Sequence, residues 1–183
     1  MKVLIDACVL YPTVMREMVL GAAKLGLFTP LWSPRILEEW ARAAAKLGPE
    51  QEAFGRGEIA LLNAYWPKAT IQPGAGVEAR LWLPDQNDIH VLAAAVTGGA
   101  DVLLTLNNAD FPRHTLAEEG LRRESPDLFL RSFVDTHPND MEALAQRVLS
   151  EAIRLSGDDS WTLRKLMKKA RLPRLGKALE SLG

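Results

Sequence analysis

The sequence predicts an α/β fold, a three-layer α/β/α arrangement around a central parallel sheet, with a C-terminal helical extension. Three observations predict it. Val3-Leu4-Ile5 and Val102-Leu103-Leu104 are short, unbroken apolar runs, the pattern of strands buried on both faces. Segments of helical periodicity separate the strand-like runs, as crossovers between parallel strands require. After Thr136-His137-Pro138 only helical patterns remain.

The elements follow in order. Residues 3–5 form the first strand and end in Asp6, and Pro12 suits the first turn of a helix. Met15, Met18, Val19, Ala22 and Ala23 recur at helical spacing over 14–25, and Gly26 stops that helix. Leu31-Trp32 reads as a short strand. Ser33-Pro34 opens the next helix with a hydroxyl cap and a first-turn proline; Gly48-Pro49 breaks it after Leu47. Residues 50–66 read as a helix interrupted near Gly55 and Gly57, and 67–84 are poorly patterned, with a short strand at 70–72. An Ala-rich helix over 87–97 ends at Gly98-Gly99, and the second buried strand covers 101–105. A further strand is expected at 121–123, then helices at 126–135, 141–156, 161–170 and 175–182. The expected division is a domain of residues 1–135 and a helical extension of residues 136–183.

The chain has 183 residues, with 22 Lys and Arg against 23 Asp and Glu, a formal net charge of −1. That length suits one domain with a short appendage and a core needing no cross-links. Near-neutrality argues against a non-specific nucleic-acid coat, which relies on excess positive charge. Cys8 is the single cysteine, so there is no internal disulfide framework, as in a reducing cytosol. Asp6 interrupts the only stretch resembling a signal peptide, and the longest apolar run, 91–96, is far short of the ~20 residues of a membrane span. The expectation is a soluble, cytoplasmic protein. Its charge is uneven: residues 1–137 carry −4, residues 138–183 carry +3, and residues 161–183 carry +6.

Functional groups of open parallel sheets collect beyond the carboxyl ends of the strands. Asp6 ends one strong strand; Thr105, Asn107, Asn108 and Asp110 follow the other. Each alone is equally at home as a loop polar group or cap. On the helix after Ser33, the apolar stripe of Ile36, Trp40, Ala43 and Leu47 puts Glu39 at its border and Glu38 on the opposite, solvated face, where Arg42 is an i,i+4 partner. Glu39 either leans toward a cleft or pairs with Arg35. Asp85 and Asp88 suit the start of a helix as cap and first-turn acid. The three histidines are too scattered for a zinc site, no phosphate loop, dinucleotide fingerprint or nucleophile elbow is present, and Cys8 reads as a small apolar residue. The five tryptophans read as core and helix packing.

Taken in order, residues 3–6, 33–40, 85–95 and 100–111 resemble a PIN-domain ribonuclease of the VapC toxin type. The shared pattern is an aspartate closing the first strand, a glutamate on a serine-opened helix, an aspartate before an alanine-rich stretch and Gly-Ala-Asp, and a Thr-x-Asp or Thr-x-Asn turn. The serine-to-glutamate interval favours Glu39 over Glu38. Asp88 matches the third acid, with Asp85 its frequent companion. Asn107 stands where many members carry aspartate, and Asp110 follows three residues later, so the fourth acidic position rests with one or the other.

The resemblance implies a Mg²⁺- or Mn²⁺-dependent endoribonuclease, a toxin silenced by a small antitoxin protein and capable of homodimerising. Asp6, Glu39, Asp88 and Asp110 are then the metal ligands, with Asn107 or Asp110 completing the set and Thr105 orienting a water or carboxylate. Clustered carboxylates repel one another unless a cation neutralises them, and hard oxygen donors suit these two metals. Arg16, together with Arg164, Lys165, Lys168, Lys169, Arg171 and Arg174, supplies candidate phosphate contacts, the C-terminal run being otherwise a solvated basic face. The alternatives are a catalytically weak PIN-like scaffold that binds RNA or protein, which Asn107 favours, and a hydrolase of small phosphoesters.

Overall fold

The computed structural model describes residues 1–182. Its strands are β1 (Lys2–Ile5), β2 (Thr29–Leu31), β3 (Val102–Leu104) and β4 (Arg122–Glu124). Its helices are α1 (Ala7–Leu10), α2 (Thr13–Lys24), α3 (Pro34–Ala45), α4 (Pro49–Tyr65), α5 (Ala75–Arg80), α6 (Ile89–Gly98), α7 (Arg113–Glu118), α8 (Pro126–Val134), α9 (Pro138–Ser156), α10 (Leu163–Lys169) and α11 (Pro173–Glu180). A single 3₁₀ turn, Gln86–Asp88, leads into α6. The chain groups into two compact units. Residues 1–11 and 28–124 form the first; residues 12–27 and the chain from Ser125 onward form the second, so α2 falls with the C-terminal helices.

The first unit is built on a four-stranded, wholly parallel sheet in the order β2-β1-β3-β4, the α/β architecture predicted from the buried runs. The registers Val3↔Val102 and Ile5↔Leu104 set β1 beside β3. The chain leaves β1 for β2 on one side, then returns across to β3 on the other. The order therefore reverses between β1 and β3, and a crevice at their carboxyl ends is the expected place for a site. β1 and β3 are buried on both faces, as their unbroken apolar composition requires. Helix α6 packs on both strands, α7 on β4, and α3 on α1 and α4.

Local rules account for most boundaries. Ser33 Oγ accepts the Ile36 N–H as the cap of α3. Gly99 closes α6 in the left-handed conformation that residues with a Cβ adopt at a cost. Two expectations need correction. Helix α4 is continuous through Gly55 and Gly57. A Cβ at Gly55 would lie 3.3 Å from the Ala44 Cβ, so this glycine lets α4 approach α3 instead of breaking the helix. At 70–72 there is no strand but an isolated parallel bridge, Trp32↔Thr70. The short helices α1, α5 and α7 escape a periodicity reading because 4 to 6 residues are too few to show a helical repeat.

The second unit consists of α2, α8, α9, α10 and α11. Its core includes Met15, Met18, Leu130, Met141, Leu144, Met167 and Leu175. Gly21 lets α2 come close to α9, since a Cβ there would meet the Leu144 side chain. Asp127 ties α8 to α11 by accepting the backbone N–H groups of Arg174 and Leu175 at 3.0 and 2.9 Å. No described helix is long and apolar enough to cross a membrane.

Candidate functional site

Because Ile5 pairs with Leu104, the next residue of each strand, Asp6 and Thr105, emerges side by side at the sheet edge. Asp6, 8% exposed, is held from two directions. Thr105 Oγ1 donates to its Oδ2 at 2.6 Å, and the Cys8 thiol donates to the same oxygen at 3.1 Å. Cys8 Sγ in turn accepts the Leu106 N–H at 3.3 Å. Cys8 is thus part of the carboxylate's support and not the apolar filler its composition suggested. Burial, then the nearby Asp6 charge, pushes its thiol up to about 12, so it stays protonated and able to donate.

Thr105 accepts the Asn107 N–H at 3.0 Å, turning the chain toward a second cluster. Asn107 Nδ2 donates to Asp88 Oδ2 at 3.0 Å and to Asp110 Oδ2 at 2.7 Å, so its amide bridges the two carboxylates. Asp85 caps the 3₁₀ turn through the Asn87 N–H at 2.8 Å, as a helix-start acid should. It also faces the site. One carboxylate oxygen each from Asp85, Asp88 and Asp110 lies within 4.8 Å of the others. Burial, then the charges of Asp6, Asp85 and Asp110, raises Asp88 to about 6. This crowding of hard oxygen donors fits a divalent metal ion, whose charge would relieve the repulsion.

Glu39 sits on α3 and stands outside that trio, as does Asp6, which acts on Asp88 through its charge. Glu39 has two neighbours: Arg35 Nε, the i,i+4 partner expected of it, lies 3.6 Å from its Oε1, and His90 Nε2 lies 2.8 Å from the same oxygen. His90 is buried on the first turn of α6, two residues after Asp88, and brings its Nε2 close to Glu39 without the geometry of a hydrogen bond. Glu38 faces away, bonded to Arg42 and Arg56, the separation that helical geometry predicted. On β4, Arg123 donates to the carbonyls of Asn108 and Phe111 at 2.6 and 2.7 Å and so pins the loop bearing Asp110.

A family model described as PIN domain matches residues 2–109, more than half of the chain. The chain belongs to the PIN domain family. No curated protein and no solved structure matches it. Members of the PIN family are generally nucleases that use divalent metals. The matched stretch of this PIN domain contains Asp6, Glu39, Asp85, Asp88, Thr105 and Asn107, and stops just before Asp110.

The residues singled out as phosphate contacts lie in the second unit. Arg16 is 3% exposed on α2, so its guanidinium is not a surface group open to RNA. Arg164, Lys165, Lys168, Lys169, Arg171 and Arg174 are all exposed. Arg164 is paired with Glu180 at 2.6 Å, and the Lys169 ammonium lies 4.9 Å from the Trp161 ring centre. Cys8, His90 and Arg123 carry no functional signature in the sequence beyond the place of His90, two residues after Asp88 at a helix start.

Substituting His90 with alanine frees Glu39 from its buried neighbour. With Glu39 as a metal ligand, as the family resemblance implies, the expected result is a 10–100-fold drop in metal affinity, approximately the cost of losing an outer partner of a metal ligand. His90→Gln, which keeps a polar side chain beside Glu39, should recover part of the loss; Mn²⁺ titration calorimetry on both variants checks this.

Proposed function

We propose that the protein is a metal-dependent endoribonuclease that cleaves RNA phosphodiesters, and that it acts as the toxin of a toxin–antitoxin pair. The observation that carries the reading is the carboxylate cluster of Asp85, Asp88 and Asp110 beside Asp6, at the carboxyl edge of a PIN-domain sheet. Asp6, Asp88 and Asp110 would ligate Mg²⁺ or Mn²⁺, with Asp85 as a further oxygen donor and Glu39 acting directly or through water. A bound metal supplies a water activated for attack and charge to offset the phosphodiester. The protein's own part is positional: Thr105 and Cys8 aim the Asp6 carboxylate, Asn107 spaces Asp88 from Asp110, and His90 steadies Glu39. The nuclease role is assigned to residues 1–135. Residues 136–183, with their exposed Arg and Lys, are assigned to holding RNA, and a small antitoxin is the partner expected to silence the site in the cytoplasm.

The test is cleavage of single-stranded RNA by purified protein with Mn²⁺ or Mg²⁺, its loss on chelation, and growth arrest on expression. Intact RNA at saturating Mn²⁺ and normal growth would sink the reading. One observation favours a second reading, a PIN-like scaffold of low activity: a neutral amide, Asn107, occupies the place between Asp88 and Asp110. Weak Mn²⁺ binding together with retained RNA binding would select it.

The same amide makes a separate prediction. Asn107→Asp replaces two N–H donors with a like charge, so the metal-free protein should lose about 1.5–3 kcal/mol, the scale of hydrogen bonds to charged groups. Saturating Mn²⁺ should restore more stability to the variant than to the parent, measured as paired thermal midpoints with and without metal.

A further inference from the structure

Four of the five tryptophans are packed against protein. Trp32 and Trp40 are buried, Trp66 stacks edge-on with Trp32 and Tyr65, and half-buried Trp161 lies beneath Lys169. Trp82 is the exception, with 63% of its surface exposed. Its neighbours Leu81 and Leu83 are buried, and side chains alternate along an extended segment, so the packing of the two leucines drives the indole outward. Trp82 is therefore displayed by the fold rather than left over by it.

The indole lines a pocket of about 260 Å³ in the first unit, floored by buried Leu92 and edged by Arg80, His114, Thr115 and Glu119. That volume falls below the roughly 300–1,000 Å³ of drug-sized sites, which leaves room for one planar ring system. The charge at the rim is already cancelled: Arg80 makes two hydrogen bonds with Glu119, at 2.6 and 2.8 Å, and Glu118 adds a further acid. A phosphate finds no free cation there, whereas a neutral base finds an aromatic face and the hydroxyl and imidazole of Thr115 and His114 near its edge. The position also fits. Trp82 precedes Asp85 by three residues, a span of at most about 10 Å, which two or three stacked nucleotides cover at about 3.4 Å each.

We infer that this pocket is a nucleobase subsite, in which Trp82 stacks on an unpaired base of the RNA a few nucleotides from the scissile bond. The inference rests on the ribonuclease reading above and adds to it a determinant of substrate position. Stacking is tolerant of base identity, so Trp82 selects single-stranded over paired RNA more than it selects sequence.

The test uses full-length Asp6→Asn protein, which should hold RNA without cutting it, and a fluorescent single-stranded oligoribonucleotide at fixed salt. Adding Trp82→Ala should weaken binding about five- to tenfold, toward the low end of base–aromatic stacking, while Trp82→Phe should stay within about threefold. Removing one base from the probe to leave an abasic ribose should erase the difference between Trp82 and Ala at one position of the series. In the otherwise unaltered enzyme, Trp82→Ala should raise KM and spare kcat. Equal affinity for Trp82 and Ala, with the parent binding RNA normally, overturns the subsite alone and turns the exposed indole toward a protein partner. Failure of the parent to bind or cut any single-stranded RNA overturns the subsite and the ribonuclease reading together.

Discussion

On the proposed ribonuclease function, Asp6→Asn should lower metal-dependent RNA cleavage by about 10³-fold or more, the scale expected when a fixed charge at a phosphoryl site is removed, and leave the fold intact. The substitution is nearly isosteric. An amide oxygen at the Oδ2 position can still accept from Thr105 and Cys8, which now bond that atom at 2.6 and 3.1 Å. What disappears is the charge facing Asp88. The charge of Asp6 is the second largest cause, after burial, of the rise of Asp88 to about 6, so Asp88 in the variant should titrate lower.

The linkage has a definite sign. An acid whose pKa rises on folding binds its proton more tightly in the native state, so the metal-free fold loses stability as pH climbs from the unstructured value of 3.8 through about 6. Above that range the penalty is constant. Asp6→Asn removes part of it, so in chelator the variant should match the parent near pH 4 and melt above it at pH 7. Thermal midpoints across this range check the point. A variant equally active, or one less stable than the parent at pH 7 in chelator, would contradict the placement of Asp6 in the cluster.

Trp32→Ala should cost about 3–5 kcal/mol, the range for removing a buried aromatic side chain. Trp32 is fully buried directly after β2. Its indole N–H is shared between Asn63 Oδ1 at 3.3 Å and Thr70 Oγ1 at 3.2 Å, and its ring meets Trp66 edge-on at 5.9 Å. Alanine leaves a cavity where α4, the 66–70 segment and the end of β2 converge. Trp32→Phe keeps most of the ring but not the donor, and should cost about 1–2 kcal/mol. Urea midpoints at unchanged slope report both losses. Ser33, the cap of α3, is the next residue, so loosening this corner also misplaces Glu39, and the alanine variant should lose cleavage before it loses helix content.

Strand β1, strand β3 and the acids that follow them are legible because a strand buried on both faces has to be continuously apolar, and a sudden Asp or Thr marks where it leaves the core. Glu39 is separable from Glu38 because a helix turns 100° per residue and the apolar stripe sets the zero. The same logic fails over 67–84. There a short helix and an extended stretch carry too few residues to establish a period, and the buried leucines at 81 and 83 show their meaning only once α5 packs on α6. Asp85 was readable as a cap, which it is, but a cap has the same signature whether or not its carboxylate lies near others.

Composition and order along the chain were enough for the α/β class and the parallel sheet, because burial dictates side-chain chemistry position by position, and the family was legible in the resemblance of its motifs. Which of those acids meet was decided by the sheet. Pairing Ile5 with Leu104 brings together residues 99 apart, at the edge where the strand order reverses. The bridging of Asp88 and Asp110 by Asn107, the contact of His90 with Glu39 and the display of Trp82 belong to that same level. Each depends on distances between segments remote in sequence, and no local pattern of polarity encodes a distance.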